Sequence, residues 1–227
     1  MAEIRNYAKP RRLYRYRSID HIERELEAIE EAYLFCAAYK DMNDPMEGMY
    51  SASERLRKSR AYRQIQTDVL SNKHSLGICS FSEVHNNELM WAHYASRFKG
   101  ICVEYDLIEL LKCLPREVDF VRMLYSEERP NVGLTRTGVN DLAKMILSYK
   151  NHRWSYEREW RMFAPQQGKL YYEVRKCVTR VYIGSQALSL RRTIEQRLRA
   201  LGIKMSVMYL DGYSMVFDAR EKYAAAH

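Results

Sequence analysis

The apolar residues of this chain fall in short runs, and the period of those runs keeps changing. Arg12–Arg17 alternates bulky and charged residues, which as a strand puts Leu13, Arg15 and Arg17 on one side and Tyr14 and Tyr16 on the other. Ile22, Leu26 and Ile29 then recur at helical spacing, with Ser18 or Asp20 as caps and Glu23 as a capping-box partner. The same reading predicts strands over 76–81, 101–106, 118–125, 154–164, 170–174 and 178–183. It predicts helices over 51–70, from Asn87 to a stop at Gly100, over 107–113, over 139–149, and over 188–200 before Gly202. Residues 204–210 and 213–217 read as a hairpin around Asp211-Gly212.

Helices and strands are therefore interspersed, without the steady alternation that a doubly wound parallel sheet requires. The expected fold is α+β: one domain over 1–227, with a central sheet, mostly antiparallel or mixed, and helices packed on it. The 186–218 segment closes it with a helix and a hairpin. A chain of 227 residues buries roughly 70% of its unfolded surface. With 47% hydrophobic residues, 9 Gly and 5 Pro, disorder and collagen-like structure are excluded.

Charge and cysteine content bound the function classes. The net charge of +8 suits nucleic acid, nucleotide phosphates or an acidic protein partner. Basic residues recur at Arg11 to Arg17, Arg55 to Arg63 and Arg191 to Arg199; the plain alternative is a solvated face. The five cysteines are widely spaced and form no C-x-x-C, so neither a zinc knuckle nor a redox motif is suggested, and a reducing compartment is expected. The charged start of the chain does not read as a signal peptide, and no apolar run approaches the ~20 residues of a membrane span. Cytoplasm, with no membrane association, is the expected location. Histidines and carboxylates are too scattered for a metal site; no H-E-x-x-H and no G-x-G-x-x-G or Walker pattern occurs.

Three constellations carry polar chemistry. In Trp154–Arg161, a strand would project Glu157, Glu159 and Arg161 from one face, with the two carboxylates roughly 6–7 Å apart. Such a pair can grip a ribose diol and stabilise a cation, while Arg161 holds a phosphate. The plain alternative is an ion-paired, half-solvated strand face. The second set is Ser80, Ser82 and Glu83 with Trp91, His93 and Tyr94, read either as a pocket wall or as core aromatics with a satisfied histidine. The third is Arg15 and Arg17 among Tyr14 and Tyr16, a phosphate-and-stacking surface or an edge strand with snorkelling arginines.

These residues also carry a resemblance. Leu13 to Arg17, Asn43-Asp44-Pro45 with Glu47, Cys79 to Glu83, Leu89 to Ala95, Gly100 to Cys102, and Trp154-x-Tyr156-Glu157-x-Glu159-Trp160-Arg161 resemble the prokaryotic family of domain of unknown function 2971, in order, from about 12 to 184. Met42 and Met46 stand where that family leads one to expect aromatics. The family name implies no activity. A fold-level similarity links the order of Arg15 or Arg17, then Ser80, Ser82 and Tyr94, then Glu157-x-Glu159 to ADP-ribosyltransferase-like proteins. That similarity implies an ADP-ribosyltransferase or NAD glycohydrolase with NAD as substrate. Glu157 or Glu159 would then be catalytic, Trp91 or Tyr94 would stack on the base, and Arg15, Arg17 or Arg161 would neutralise the diphosphate. The alternatives are an RNA- or DNA-associated binder or nuclease, and a non-catalytic partner-binding module of a stress or phage-defence system.

Overall fold

The computed structural model describes residues 9–134 and 137–218. The charged first eight residues, and Thr135 and Arg136 of the polar loop expected over 126–138, lie outside them. Two compact units share the chain. The first contains Met1–Tyr33, Ser82–Leu114 and Tyr171–His227; the second contains Leu34–Phe81 and Pro115–Leu170. Each is assembled from separated segments, so no shift in composition marks a boundary.

In the first unit, strand Arg12–Arg17 runs antiparallel to Ile101–Asp106, with Arg15 opposite Val103. Ile101–Asp106 is antiparallel to Val178–Ile183, with a register shift between Val178 and Arg180. Val178–Ile183 is parallel to Lys204–Asp211, and the helix Arg191–Ala200 lies between them in sequence. A parallel pair needs such a crossover. Lys204–Asp211 and Ser214–Phe217 close as the expected hairpin, Asp211 facing Ser214, and Gly212 supplies a φ of 59° in the turn. The sheet is therefore mixed, and the fold is α+β as the sequence indicates.

Local chemistry explains where elements begin and end. Helix Ile22–Glu30 buries Ile22, Leu26 and Ile29. The expected capping box is absent: Ser18 caps a preceding 3-10 turn, Ile19–His21, and His21 stands at the helix N-cap without a side-chain bond. Asn87 caps Glu88–Tyr94, its side chain accepting from the Met90 N–H at 3.1 Å. That helix stops before Gly100 because Ser96, Arg97 and Phe98 turn left-handed, with φ of 46°, 56° and 67°. Gly100 serves a different need. A Cβ there would lie 2.0 Å from the Arg17 carbonyl oxygen, and one on Gly184 would lie 2.1 Å from that of Phe98. Gly184→Ala is thus expected to lower stability by about 1–3 kcal/mol through overpacking, read as a shifted urea midpoint at unchanged slope.

In the second unit, Gly77–Ser82 (to Phe81), Glu159–Ala164 and Asp119–Arg122 lie side by side. Trp160 faces Arg122 and Phe163 faces Asp119 in an antiparallel register. Two apolar clusters support them: Leu76, Ile78, Ala143, Leu147 and Phe163, and Leu56, Val69, Val132, Leu142 and Ile146. The helix expected over 51–70 is broken. Ser51–Ala52 is a strand parallel to Asn131–Val132, Ser53 caps Glu54–Arg57 by accepting from the Leu56 N–H, and Tyr62–Ser75 forms a separate helix. The helix from Val139 ends at Ile146, and Tyr149–Asn151 becomes a strand parallel to Leu124–Ser126. The strand expected over 118–125 is divided at Met123, whose N–H bonds the Glu159 carbonyl at 3.0 Å.

Two further expectations are corrected. The strand expected over 170–174 instead spans Gly168–Tyr171, in a separate two-stranded sheet, and Val174 opens the helix Val174–Cys177. Residues 154–164 are not one strand. Asn151 caps a 3-10 segment, His152–Glu157, by accepting from the Arg153 N–H. Arg158 then adopts φ 46° and ψ 48°, and the strand starts only at Glu159. Glu157 and Glu159 therefore meet across a left-handed turn, not as neighbours on a strand face.

Candidate functional site

The second unit contains a dense buried set of charges, built from three pieces of chain. The first is the turn that follows Asn43-Asp44-Pro45. Asp44 accepts from the Met46 N–H through Oδ1 at 2.9 Å, and its own carbonyl accepts from the Glu47 N–H at 3.0 Å. Tyr39 donates its hydroxyl to the Glu47 carbonyl at 2.8 Å. Lys73 donates to the Gly48 carbonyl, its ammonium 5.4 Å from the Tyr39 ring centroid and 5.2 Å from that of Tyr50. Burial lowers the Lys73 pKa below the usual lysine value. Gly48 takes a φ of +69°, and a Cβ there would press on Tyr39. These contacts fix the turn with Glu47 directed inward, 3% exposed.

The second piece is Lys150, on the strand Tyr149–Asn151. Its ammonium lies 2.6 Å from Glu157 Oε2 and 3.3 Å from both Glu47 Oε1 and Glu159 Oε2. The Trp154 ring centroid is 4.9 Å away. The third piece is Glu159 and Arg161, on the strand Glu159–Ala164. Arg161 donates Nε and Nη2 to Glu159 Oε1 at 3.0 and 2.8 Å, and Nη1 to the Leu147 carbonyl at 2.7 Å. Nη1 also lies 2.9 Å from Glu47 Oε2. Ser80 donates its hydroxyl to Glu159, and the Glu159 N–H bonds the Tyr125 hydroxyl oxygen at 2.8 Å.

Three carboxylates thus share two cations, with no side chain of the five more than 4% exposed. Burial by itself pushes the Glu159 carboxyl up, but the Arg161 and Lys150 charges, aided by the Ser80 and Arg161 hydrogen bonds, reverse this and hold it well below the ordinary range. Burial would likewise pull Lys150 down, and Glu159, Glu157 and Glu47 together hold it above its usual value. Arg161 is raised for the same reason, with Glu159 and Glu47 overcoming its desolvation. By formal charge, three carboxylates against two cations leave one surplus negative charge.

An open pocket of about 480 Å³ lies against this set, lined by Asp44, Glu47 and Lys150 with Met46, Met49 and Arg129. Glu127 and Glu128 add further carboxylates to its wall. Acidic side chains therefore outnumber basic ones in the pocket of a chain whose net charge is +8.

Of the residues singled out from sequence, Ser80, Glu157, Glu159 and Arg161 come together here. The others belong to the first unit. Arg15 is buried on its strand, and Arg17 pairs with Glu25 at 3.0 Å. Ser82 is buried and accepts from the Val84 N–H at 3.2 Å, while Glu83 is half-buried. Trp91 is fully buried, bonds the His85 carbonyl at 2.7 Å and meets Tyr16 edge-on at 5.3 Å, which is a core position. His93 is exposed and Tyr94 half-buried, their rings 6.5 Å apart. The pocket-wall reading does not apply to Trp91, because its ring has no face left for a ligand.

Sequence reasoning missed Lys150 and Asp44 as site residues and took Glu47 only as part of a motif. The Asn-Asp-Pro turn was a usable signal; Lys150, in the plain context Tyr149-Lys150-Asn151, offered none. It also missed a polar group in the first unit. There Glu104 accepts from the Tyr182 hydroxyl at 2.8 Å, and His85 stacks on Tyr182 at 4.4 Å. Burial, with Glu104 beside it, pushes Tyr14 up to about 12. Among the described residues, no group of three or more His, Cys, Asp or Glu side chains is placed to hold a metal ion. None of the helices described is long and apolar enough to cross a membrane.

The matched sequence span takes in four of the five clustered charges. Over residues 90–162 the chain matches the family described as Protein of unknown function (DUF2971). That DUF2971 span includes Lys150, Glu157, Glu159 and Arg161 and stops short of Asp44 and Glu47. No curated protein and no solved structure matches the chain.

Proposed function

We propose that the second unit binds a nucleotide bearing a positively charged base, of the NAD class, and cleaves its ribosyl–base bond. The observation that carries this reading is the carboxylate-rich pocket of about 480 Å³ that borders the Lys150 cluster. Such a bond breaks through an oxocarbenium-like state, and a fixed carboxylate beside the developing cation lowers the barrier. In the reaction the ribose–nicotinamide C–N bond breaks and nicotinamide leaves with the electron pair. Water then adds its hydroxyl to the sugar and gives its proton to solvent. Of the two carboxylates that line the pocket, Glu47 is held by Lys150 and Arg161, and Asp44 serves the developing cation. Glu157 and Glu159 act through Lys150 as positioning residues, because both carboxylates are bound to its ammonium. Arg129, also on the wall, answers the diphosphate.

The test is nicotinamide release from NAD by the purified chain, followed by chromatography. Asp44→Asn is expected to lower the rate about 10²-fold. If millimolar NAD yields no nicotinamide and does not shift the melting temperature, the reading is wrong.

A second reading, single-stranded nucleic-acid binding, has its own observation. Arg55, Arg57, Lys58, Arg60 and Arg63 are all exposed along Glu54–Arg57 and the start of Tyr62–Ser75. It predicts retention of an RNA oligonucleotide that weakens steeply with salt, with a slope that falls by about one unit for each of these residues replaced. No retention at low salt would dismiss it.

A further inference from the structure

Cys113 ends the helix Leu107–Cys113 and Cys177 ends Val174–Cys177, both within the first unit. Their sulfurs lie 3.7 Å apart, although 64 positions separate them in sequence. Cys113 is partly exposed and Cys177 is buried. This asymmetry divides the roles that a reactive dithiol needs, since an oxidant reaches the exposed thiol first and the buried one waits beside it. The cysteine spacing gave no hint of the pair, because only the packing of two short helix ends brings the sulfurs together.

Two ion-paired lysines flank the pair. Lys112 and Lys176 directly precede the two cysteines in the chain, and the Lys176 ammonium is within electrostatic reach of Cys113. They pair with Glu109 at 2.7 Å and Glu173 at 2.6 Å. Burial, then the hydrogen bond to Cys113, push the Cys177 thiol up to about 12. It therefore stays protonated, which leaves the first reaction with an oxidant to Cys113. A disulfide requires the sulfurs to close from 3.7 Å to about 2.0 Å.

We propose that Cys113 and Cys177 form a peroxide-responsive dithiol site that closes to an intrachain disulfide. Cys113 sulfur attacks one oxygen of hydrogen peroxide, the O–O bond breaks, and the second oxygen leaves as water after taking the thiol proton. The product is a sulfenic acid at Cys113. Cys177 sulfur then attacks Cys113 sulfur, the S–O bond breaks, and the hydroxyl leaves with the Cys177 proton as a second water. Two thiols are oxidised and one peroxide is reduced. A cellular dithiol reverses the step.

The experiment treats the full chain with a small excess of hydrogen peroxide and maps it under non-reducing conditions. The expected result is loss of the mass of two hydrogen atoms, a linked peptide pair containing Cys113 and Cys177, and full reversal by dithiothreitol. The melting temperature of the oxidised form should rise by roughly 5–10 °C, as the cross-link closes a long loop. Cys113→Ser should abolish both the link and the rise, and Cys36→Ser should preserve them. Mapping on the unmodified chain does not depend on any variant folding. Cys113 found as sulfinic acid without a linked peptide, a dimer joined through Cys113, or retention of all five free thiols would overturn the proposal.

Discussion

Replacing Lys150 by methionine is expected to destabilise the second unit by about 3–5 kcal/mol. The side chain is kept long and apolar by the change, so packing against Trp154 is largely preserved and the loss reads out charge. What is removed is the cation shared by Glu47, Glu157 and Glu159, each of which is almost fully buried. Arg161 remains, but it spans Glu47 and Glu159, so Glu157 loses its 2.6 Å contact with the Lys150 ammonium. A buried carboxylate that loses its partner must take up a proton or draw in water, and either response costs free energy. The total stability of a domain is only about 5–15 kcal/mol, so the variant should melt far below the parent. A surface control separates this from a general effect of removing lysine. Lys58 pairs with Glu54 where both side chains are more than 70% exposed, and Lys58→Met should leave the urea midpoint where it was. A Lys150→Met midpoint equal to that of the Lys58 variant would show that the cluster is not electrostatically coupled.

The strand and helix content was legible because it rests on local periodicity. Tyr14 and Tyr16 against Leu13 and Arg15, or Ile22, Leu26 and Ile29, carry their period within a few residues of themselves. Leu124 and Tyr149 do not. The parallel ladder that they begin is three residues long, the one that Ser51 and Asn131 begin is two, and both pair partners far apart in sequence, which no local pattern can register. The site shows the same division. Glu157, Glu159 and Arg161 were visible as a charged cluster because they are adjacent, but the mode of approach was misread. The alternation from Trp154 to Met162 suits a strand, whereas Asn151 caps a 3-10 turn and Arg158 turns left-handed. A side-chain cap and one unusual φ outweighed a two-residue period. Lys150 was invisible for a different reason. A buried lysine is specified by the carboxylates that surround it, and those come from Glu47 on one side and Glu157 and Glu159 on the other.

The same coupling sets the pH range over which the second unit is stable. The Glu159 carboxyl is depressed below its ordinary value of 4.5, since Arg161 and Lys150 outweigh the cost of its burial. The folded chain therefore binds that proton more weakly than the unfolded chain. Its contribution is complete above 4.5 and is lost as the pH falls through the folded-state value. Lys150 is shifted the other way, above 10.5, so its contribution is complete below 10.5 and is lost only as the pH rises through the raised value. Neutral pH lies inside both limits, and stability should be flat there with a steep acid limb. For a salt-bridged carboxylate the acid limb is worth on the order of 2–3 kcal/mol. Glu159→Gln removes the titrating group, keeps an acceptor for Arg161 and Ser80, and should lower the neutral plateau while flattening that limb. The measurement is the urea midpoint of both chains from about pH 7 to about pH 3, with the unfolding slope held as a check. Parallel acid limbs in parent and variant would mean that acid sensitivity resides elsewhere, and that Glu159 is not held ionised by Arg161 and Lys150. A flattened limb would establish the ionised buried cluster on which the nucleotide-cleaving reading depends, independently of whether any substrate has been found.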